Sequence, residues 1–311
     1  MKKLVAAMVV VTVLLSGCNT EKTESMNPFL TEYETPFGVP PFDLIENEHF
    51  IPAFEEGMKL QQAEIDAIVN NSDAATFENT IEALDKSGEL LSKVRGVFFR
   101  LRSAETNDEL DSIARVIQPE LTAHGSSINL NPGLFERVKA IYAEREALDL
   151  SEEQAMVLKK VYRRFVRGGA NLEGEAKERI KEIDKKLSML TMQFGDNLLK
   201  ETNSYQLIID NEDDLAGLPE SVRSAAADAA RAAGQEGKWV FTLHKPSWIP
   251  FLQYAEKREL RETIYRAMFM RSNSGNEYDN NKLITEILEL RIERANLLGY
   301  DTHAAYVLEE R

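Results

Sequence analysis

The chain has 311 residues, 43% of them apolar and 29% charged, with a net charge of −15 at neutral pH. That length is enough to bury a sizeable core, and that acidity argues against nucleic acid as a partner and against electrostatic docking to anionic lipid. A single cysteine, Cys18, excludes a disulfide framework within one chain.

The N-terminus reads as a targeting segment. Lys2 and Lys3 precede an uncharged apolar run over 4–15, which fits a signal-peptide core and is too short to span a bilayer as a helix. Leu15-Ser16-Gly17-Cys18 follows at once and resembles the lipobox of bacterial lipoproteins, with small residues for the peptidase cleft and a thiol to accept diacylglycerol. The expected division is a signal peptide over 1–17, a lipidated Cys18 with a polar tether over 18–27, and a body over 28–311. Cleavage removes two lysines and no acid, leaving the mature chain at −17. The expected location is extracytoplasmic and lipid-anchored. Asn19, rather than Asp, after the cysteine favours the outer membrane or periplasmic face over the inner membrane.

Residues 27–52 carry Pro28, Pro36, Pro40, Pro41 and Pro52 among Phe29, Phe37, Phe42 and Phe50. They predict an extended arm laid on a surface, since proline opposes helix. Beyond them the chain reads as helical. Asn79-x-x-Glu82, Thr106-x-x-Glu109 and Ser151-x-x-Gln154 predict capping boxes, and Asn131-Pro132 a cap followed by a proline at the first helical position. Helical spacing of apolar residues recurs from Ile81 to Leu101, from Leu110 to Ile128 with a bend expected at Pro119, and from Ile180 to Leu198. Two pieces, 205–209 and 239–243, predict a small β element, and a last helix pair is expected near 250–271 and 280–298. Lys159, Lys160, Arg163, Arg164 and Arg167 around Tyr162 and Phe165 form a local basic stripe, read as a solvated last helical turn before Gly168-Gly169.

Chemistry is harder to place. The four histidines are His49, His124, His244 and His303, and none opens an H-E-x-x-H zinc motif. His124 lies on an apolar face and reads as a satisfied core histidine, while His303 reads as a capping-region residue after Asp301-Thr302. G-x-S-x-G and G-x-x-x-x-G-K-[ST] are also missing. Abundant Asp and Glu fall mainly on polar helix faces.

A set of short blocks in a fixed order nevertheless carries a family resemblance. They are Phe42-Asp43-Leu44-Ile45 with His49-Phe50-Ile51-Pro52-Ala53-Phe54, Thr76-Phe77-Glu78-Asn79-Thr80-Ile81, Pro119-Glu120-Leu121 with His124, and Gly217-Leu218-Pro219. Pro246-Ser247-Trp248-Ile249-Pro250-Phe251-Leu252 then runs on to Arg258-Glu259-Leu260-Arg261-Glu262. Asp279-Asn280 and the block from Leu290-Arg291 to Leu298-Gly299-Tyr300 complete the series. From about residue 28 onward the chain resembles the front portion of the thimet oligopeptidase-type zinc metallopeptidases, nearest their bacterial peptidyl-dipeptidase branch.

The resemblance implies an all-α, two-lobed channel fold, here incomplete, and hydrolysis of short peptides with release of dipeptides from free C-termini. It implies zinc, bound by H-E-x-x-H and a later Glu, with the motif's own Glu as general base. That segment follows the Leu298-Gly299-Tyr300 block and is expected beyond Arg311, so no catalytic or zinc-binding residue is carried onto this sequence. Alone, the 311 residues are expected to bind no catalytic zinc, to cleave nothing, and to expose Ile284, Ile287, Leu288 and Leu298 where further residues would pack. A monomer is expected. The competing expectation is a non-catalytic helical lipoprotein that serves as a binding or scaffold module.

Overall fold

The computed structural model describes residues 26–310, so Cys18 and the targeting segment lie outside the described residues. The chain is mostly helical with one small sheet, as the periodicity predicts. Among the described residues no helix is long and apolar enough to cross a membrane.

The N-terminal arm is not simply extended. It forms short 3-10 turns at Pro28–Leu30, Pro36–Gly38 and Asn47–His49, and α1 (Phe50–Val69) already contains Pro52. Proline fixes a φ that suits these turns, and in a first helical turn its missing N–H would have had no partner anyway. Phe29 is pinned by Asn27, whose side chain accepts from the Phe29 N–H and donates to the His49 carbonyl at 2.8 Å. The ring meets Phe50, which meets Phe98 edge-on at 5.0 Å, so the arm closes a core between α1, α3 (Glu89–Ala104) and α4 (Asp108–Asn129).

Two expected caps sit elsewhere. Thr76, not Asn79, starts the next helix: its hydroxyl accepts from the Asn79 N–H, and the Asn79 side-chain oxygen accepts from the Thr76 N–H in return. A π turn at Phe77–Glu82 then leads into α2 (Ala83–Lys86). Asn107, one residue beyond Thr106, caps α4 because its carboxamide reaches two free N–H groups, those of Glu109 and Leu110. Thr106 bonds Asp111 instead, at 2.8 Å. α4 runs unbroken through Pro119. Asn131 and Ser151 cap α5 (Pro132–Ala143) and α6 (Glu152–Arg167) as expected.

α5, α6, the π turn and the second half of α1 enclose a second core around Phe135, Leu158 and the fully buried Phe165. The basic stripe at the end of α6 is only partly solvated. Lys159, Lys160 and Arg164 are exposed, but Arg163 and Arg167 pair with Glu309 and Glu310 at the far end of the chain. Arg167 also donates to the Tyr306 carbonyl at 2.6 Å and lies 4.1 Å from that tyrosine's ring centre.

The long α7 (Gly174–Ser204) is the spine, with α4 on one side and α11 (Asn281–Leu297) on the other. After it, β1 (Leu207–Ile209) pairs antiparallel with β2 (Trp239–Phe241), a shorter sheet than expected, with Leu207 opposite Phe241. α8 (Glu220–Ala232), α9 (Lys245–Tyr254) and α10 (Arg258–Phe269) surround it to make a third core. Gly217 is at φ +84° where a Cβ would lie 2.2 Å from the Tyr254 carbonyl, so only glycine fits that turn. α12 (His303–Leu308) folds back toward α6. Of the residues expected to be exposed near the end, Ile284 and Leu288 are. Ile287 is buried against α7, and Leu298 is half-buried.

Candidate functional site: a groove along α7

A cleft of about 750 Å³ runs along α7. Leu187, Ser188, Thr191, Met192, Gly195 and Leu199 recur every three or four residues and form its floor. The small side chains in the middle keep it open, and a Cβ added at Gly195 would meet nothing within 4 Å. The end of α3 and the start of α4 make one wall. α11 and the head of α12 make the other.

Each end of the groove has its own charge arrangement. At one, Arg102 donates to Asp111 at 3.0 Å and to Asp196 at 2.6 Å, tying α3, α4 and α7 together. One cation there faces two carboxylates, all three side chains largely shielded from solvent. At the other, Arg294 donates to Asp184 at 2.6 Å. Burial lowers the Arg294 pKa, but the adjacent Asp184 carboxylate outweighs it and the guanidinium is held above its ordinary value. Arg291 lines the same end, half-buried, with no carboxylate within 4 Å among the described residues. Asp184 and Asp196 are twelve residues apart on one helix, so the ends are separated by about 18 Å.

A buried asparagine fixes the position of α11. Asn280, 1% exposed, donates to the Phe194 carbonyl at 3.1 Å and accepts from Asn197 at 2.9 Å. Its backbone N–H donates to the Ser272 carbonyl at 2.7 Å, holding the loop before α11 against α7. The Asp279-Asn280 pair was visible in the sequence, but its role as a pin between helices was not.

The structure disperses the four histidines. His49 is buried, and its Nδ1 accepts from the Glu46 N–H at 2.9 Å. His124 is half-buried with Nε2 2.8 Å from Gln61 Oε1, the satisfied histidine expected; burial and then Arg95 lower its pKa. His244 precedes α9, with Nε2 3.0 Å from Asn203 Oδ1. His303 opens α12 as expected, and it also lines the groove, where burial first and the charges of Arg291 and Arg294 second lower its pKa. Among the described residues no group of three or more His, Cys, Asp or Glu side chains is placed to hold a metal ion, so these residues do not fit a zinc centre.

Comparison with known proteins agrees with the order of blocks. Residues 251–311 match the model of peptidase family M3. The chain is 36% identical over 287 residues to a dipeptidyl carboxypeptidase of Salmonella typhimurium and 37% identical to that of Escherichia coli, in both cases over 92% of this chain and 42% of the relative. An oligopeptidase A of Haemophilus influenzae is 34% identical over 270 residues, covering 86% of this chain and 39% of the relative. The chain thus spans about two fifths of the length of the curated relatives it matches. With similarity running through nearly all of its described residues and the family pattern present in its last helices, the chain belongs to the peptidase M3 family.

Proposed function

We propose that this chain forms the front, channel-walling part of a zinc-dependent peptidyl-dipeptidase or oligopeptidase that hydrolyses short peptides outside the cytoplasm. The observation that carries this reading is the groove along α7. Its length of about 18 Å suits about five extended residues at roughly 3.3 Å each, and its floor offers apolar groups (Leu187, Met192, Leu199) and hydroxyls (Ser188, Thr191) to a peptide's side chains and amides. The relatives' names, dipeptidyl carboxypeptidase and oligopeptidase A, agree with a short-peptide substrate. In this reading the described residues bound the channel and position substrate, and zinc with its ligands belongs to other residues of the working enzyme. Lipid on Cys18 holds the body to the outer membrane or periplasmic face, supported by Lys2, Lys3, the apolar run over 4–15 and the small residues before the cysteine.

The test is to express the whole reading frame and supply a short peptide with a free or an amidated C-terminus. Zinc-dependent release of dipeptides from the free form is expected. A zinc-loaded product that leaves both peptides intact refutes the peptidase reading and leaves a binding or scaffold module. Labelling with radioactive palmitate tests the anchor separately, and label retained by Cys18→Ser refutes it.

A further inference from the structure

We propose that the N-terminal arm, residues 26–44, is a second membrane contact: its exposed apolar side chains enter the surface of the bilayer that holds the lipid on Cys18. The choice of a bilayer rests on the anchored reading above, and the affinity for lipid rests on the arm itself. Met26, Leu30, Phe37, Val39, Phe42 and Leu44 are six large apolar side chains exposed within nineteen residues, against thirteen in the 266 residues from 45 to 310. Exposure is thus concentrated in the arm rather than scattered singly, as it is on an ordinary surface. The arm is already seated on the body by other residues. Phe29 is buried, Tyr33 and Ile45 pack onto the first core, and Lys93 lies 3.8 Å from the Tyr33 ring centre. One side of the arm is occupied and the other is open.

Phe37 marks the open side. Its ring is fully exposed, and its backbone sits at φ +60°, a region that a bulky residue enters only at a cost. Thr35 closes the turn around it: the hydroxyl donates to the Val39 carbonyl, and the Thr35 carbonyl accepts from the Gly38 N–H at 3.1 Å. At full exposure the ring packs on none of the described residues, so the strain serves a tip that holds one aromatic ring outside the protein. Two observations say what covers it. Cys18 lies eight residues before Met26, and eight residues reach at most about 29 Å, so an acyl anchor keeps the arm at the bilayer surface. Residues 26–48 hold Glu32, Glu34, Asp43, Glu46 and Glu48 and no Lys or Arg. That charge opposes anionic lipid and leaves apolar insertion into zwitterionic lipid as the contact. Two points of attachment fix how the body sits, where lipid alone leaves it free to swivel.

The experiment couples the chain from Cys18 onward, through its only thiol, to phosphatidylcholine vesicles carrying a maleimide lipid, so contact is read whether or not cells acylate the cysteine. The reporter is Phe37→Trp, because brominated acyl chains quench an indole that enters the bilayer. Wild type, with Trp239 and Trp248 half-buried at the third core, gives the baseline. Quenching of Phe37→Trp beyond that baseline is expected. Without coupling, Phe37→Ser is expected to weaken partition onto phosphatidylcholine vesicles roughly ten-fold, the worth of burying one large apolar side chain, with the thermal melt unchanged. Absence of extra quenching overturns the proposal. So does quenching that is lost in the product of the whole reading frame, since other residues then cover the arm. Tighter binding to phosphatidylglycerol vesicles, or a dimer that Phe37→Ser dissociates, overturns it as well. Contact in the coupled chain with no palmitate label in cells removes the anchor reading and leaves the arm's affinity for lipid standing. Label without contact removes the arm's role alone.

Discussion

Gly57 of α1 lies tight against α3, and it gives a prediction whose sign depends on geometry. A Cβ there would lie 3.0 Å from Leu91 Cα, 3.1 Å from its N and 3.2 Å from its Cβ, contacts that side-chain rotation cannot relieve. Replacing a mid-helix glycine by alanine gains about 1 kcal/mol of helix propensity. Forcing a methyl group into a packed helix contact costs about 1–3 kcal/mol, because one backbone must move. Gly57→Ala is therefore expected to lose about 1 kcal/mol net, or roughly 2–4 °C in Tm for a domain of this size. Gly96 on α3 is the control, since a Cβ there meets nothing within 4 Å and the full propensity gain remains. Thermal unfolding followed by circular dichroism at the helical band should place Gly57→Ala below wild type and Gly96→Ala above it. If Gly57→Ala melts as high as Gly96→Ala, the helices are not as tightly apposed as described and the reasoning fails.

Two further perturbations bear on the groove. Arg102→Met leaves Asp111 and Asp196 facing each other without their shared cation. Loss of a partner from a buried pair costs about 3–5 kcal/mol; with these side chains 11% to 23% exposed, a loss of about 2–3 kcal/mol is expected. Urea unfolding measures it, and Asp196→Asn in the Arg102→Met background should recover part; no recovery means the carboxylates were not the cause. Acidification should also destabilise the chain. Both His124 and His303 have folded pKa values pushed below the ordinary 6.5, so below that value the unfolded chain binds their protons more readily and the folded state loses ground. The urea midpoint is expected to be flat above about pH 7 and to fall as pH drops below 6.5, less steeply in His124→Gln. A midpoint that rises on acidification contradicts the burial of these rings.

Much of the helical body was legible because one apolar face had one neighbour. The spacing of Leu91, Val94 and Phe98, and of Leu110, Ile113, Ile117 and Leu121, corresponds to residues that are buried together between α1, α3 and α4. On α7 the same reading holds only for Ile180 and Ile183. Leu187, Leu190, Phe194 and Leu198 are half-buried, because beyond the first turns α7 is flanked by helices on two sides with a groove between them. The turns of the arm are not legible in the sequence because proline's φ is shared by extended chain and 3-10 turns, and the choice falls to tertiary contacts such as Asn27 with His49. The groove was not legible: its charged residues run from Arg102 to His303, and only the docking of α11 on α7 brings them together.

That docking shows why periodicity could not have placed the groove. α11 carries apolar residues around much of its circumference, with Ile287, Leu290 and Ala295 buried against the body while Ile284, Leu288 and Ile292 face outward at four-residue spacing. Either row satisfies a helical period, and rolling the helix to bury the outer row would turn Arg291 away from α7. Polar pairs along the α7–α11 contact remove the ambiguity. Asn280 with Asn197, Glu286 with Lys186, Glu293 with Arg179 and Arg294 with Asp184 can form together in only one rotation and one antiparallel register. Exposed ion pairs add little stability, yet each wrong register would leave several charges unmatched, so they select an arrangement that burial alone leaves open. The consequence for function is direct: the pairs that choose the face of α11 are also what deliver Arg291, which has no carboxylate partner among the described residues, to the groove.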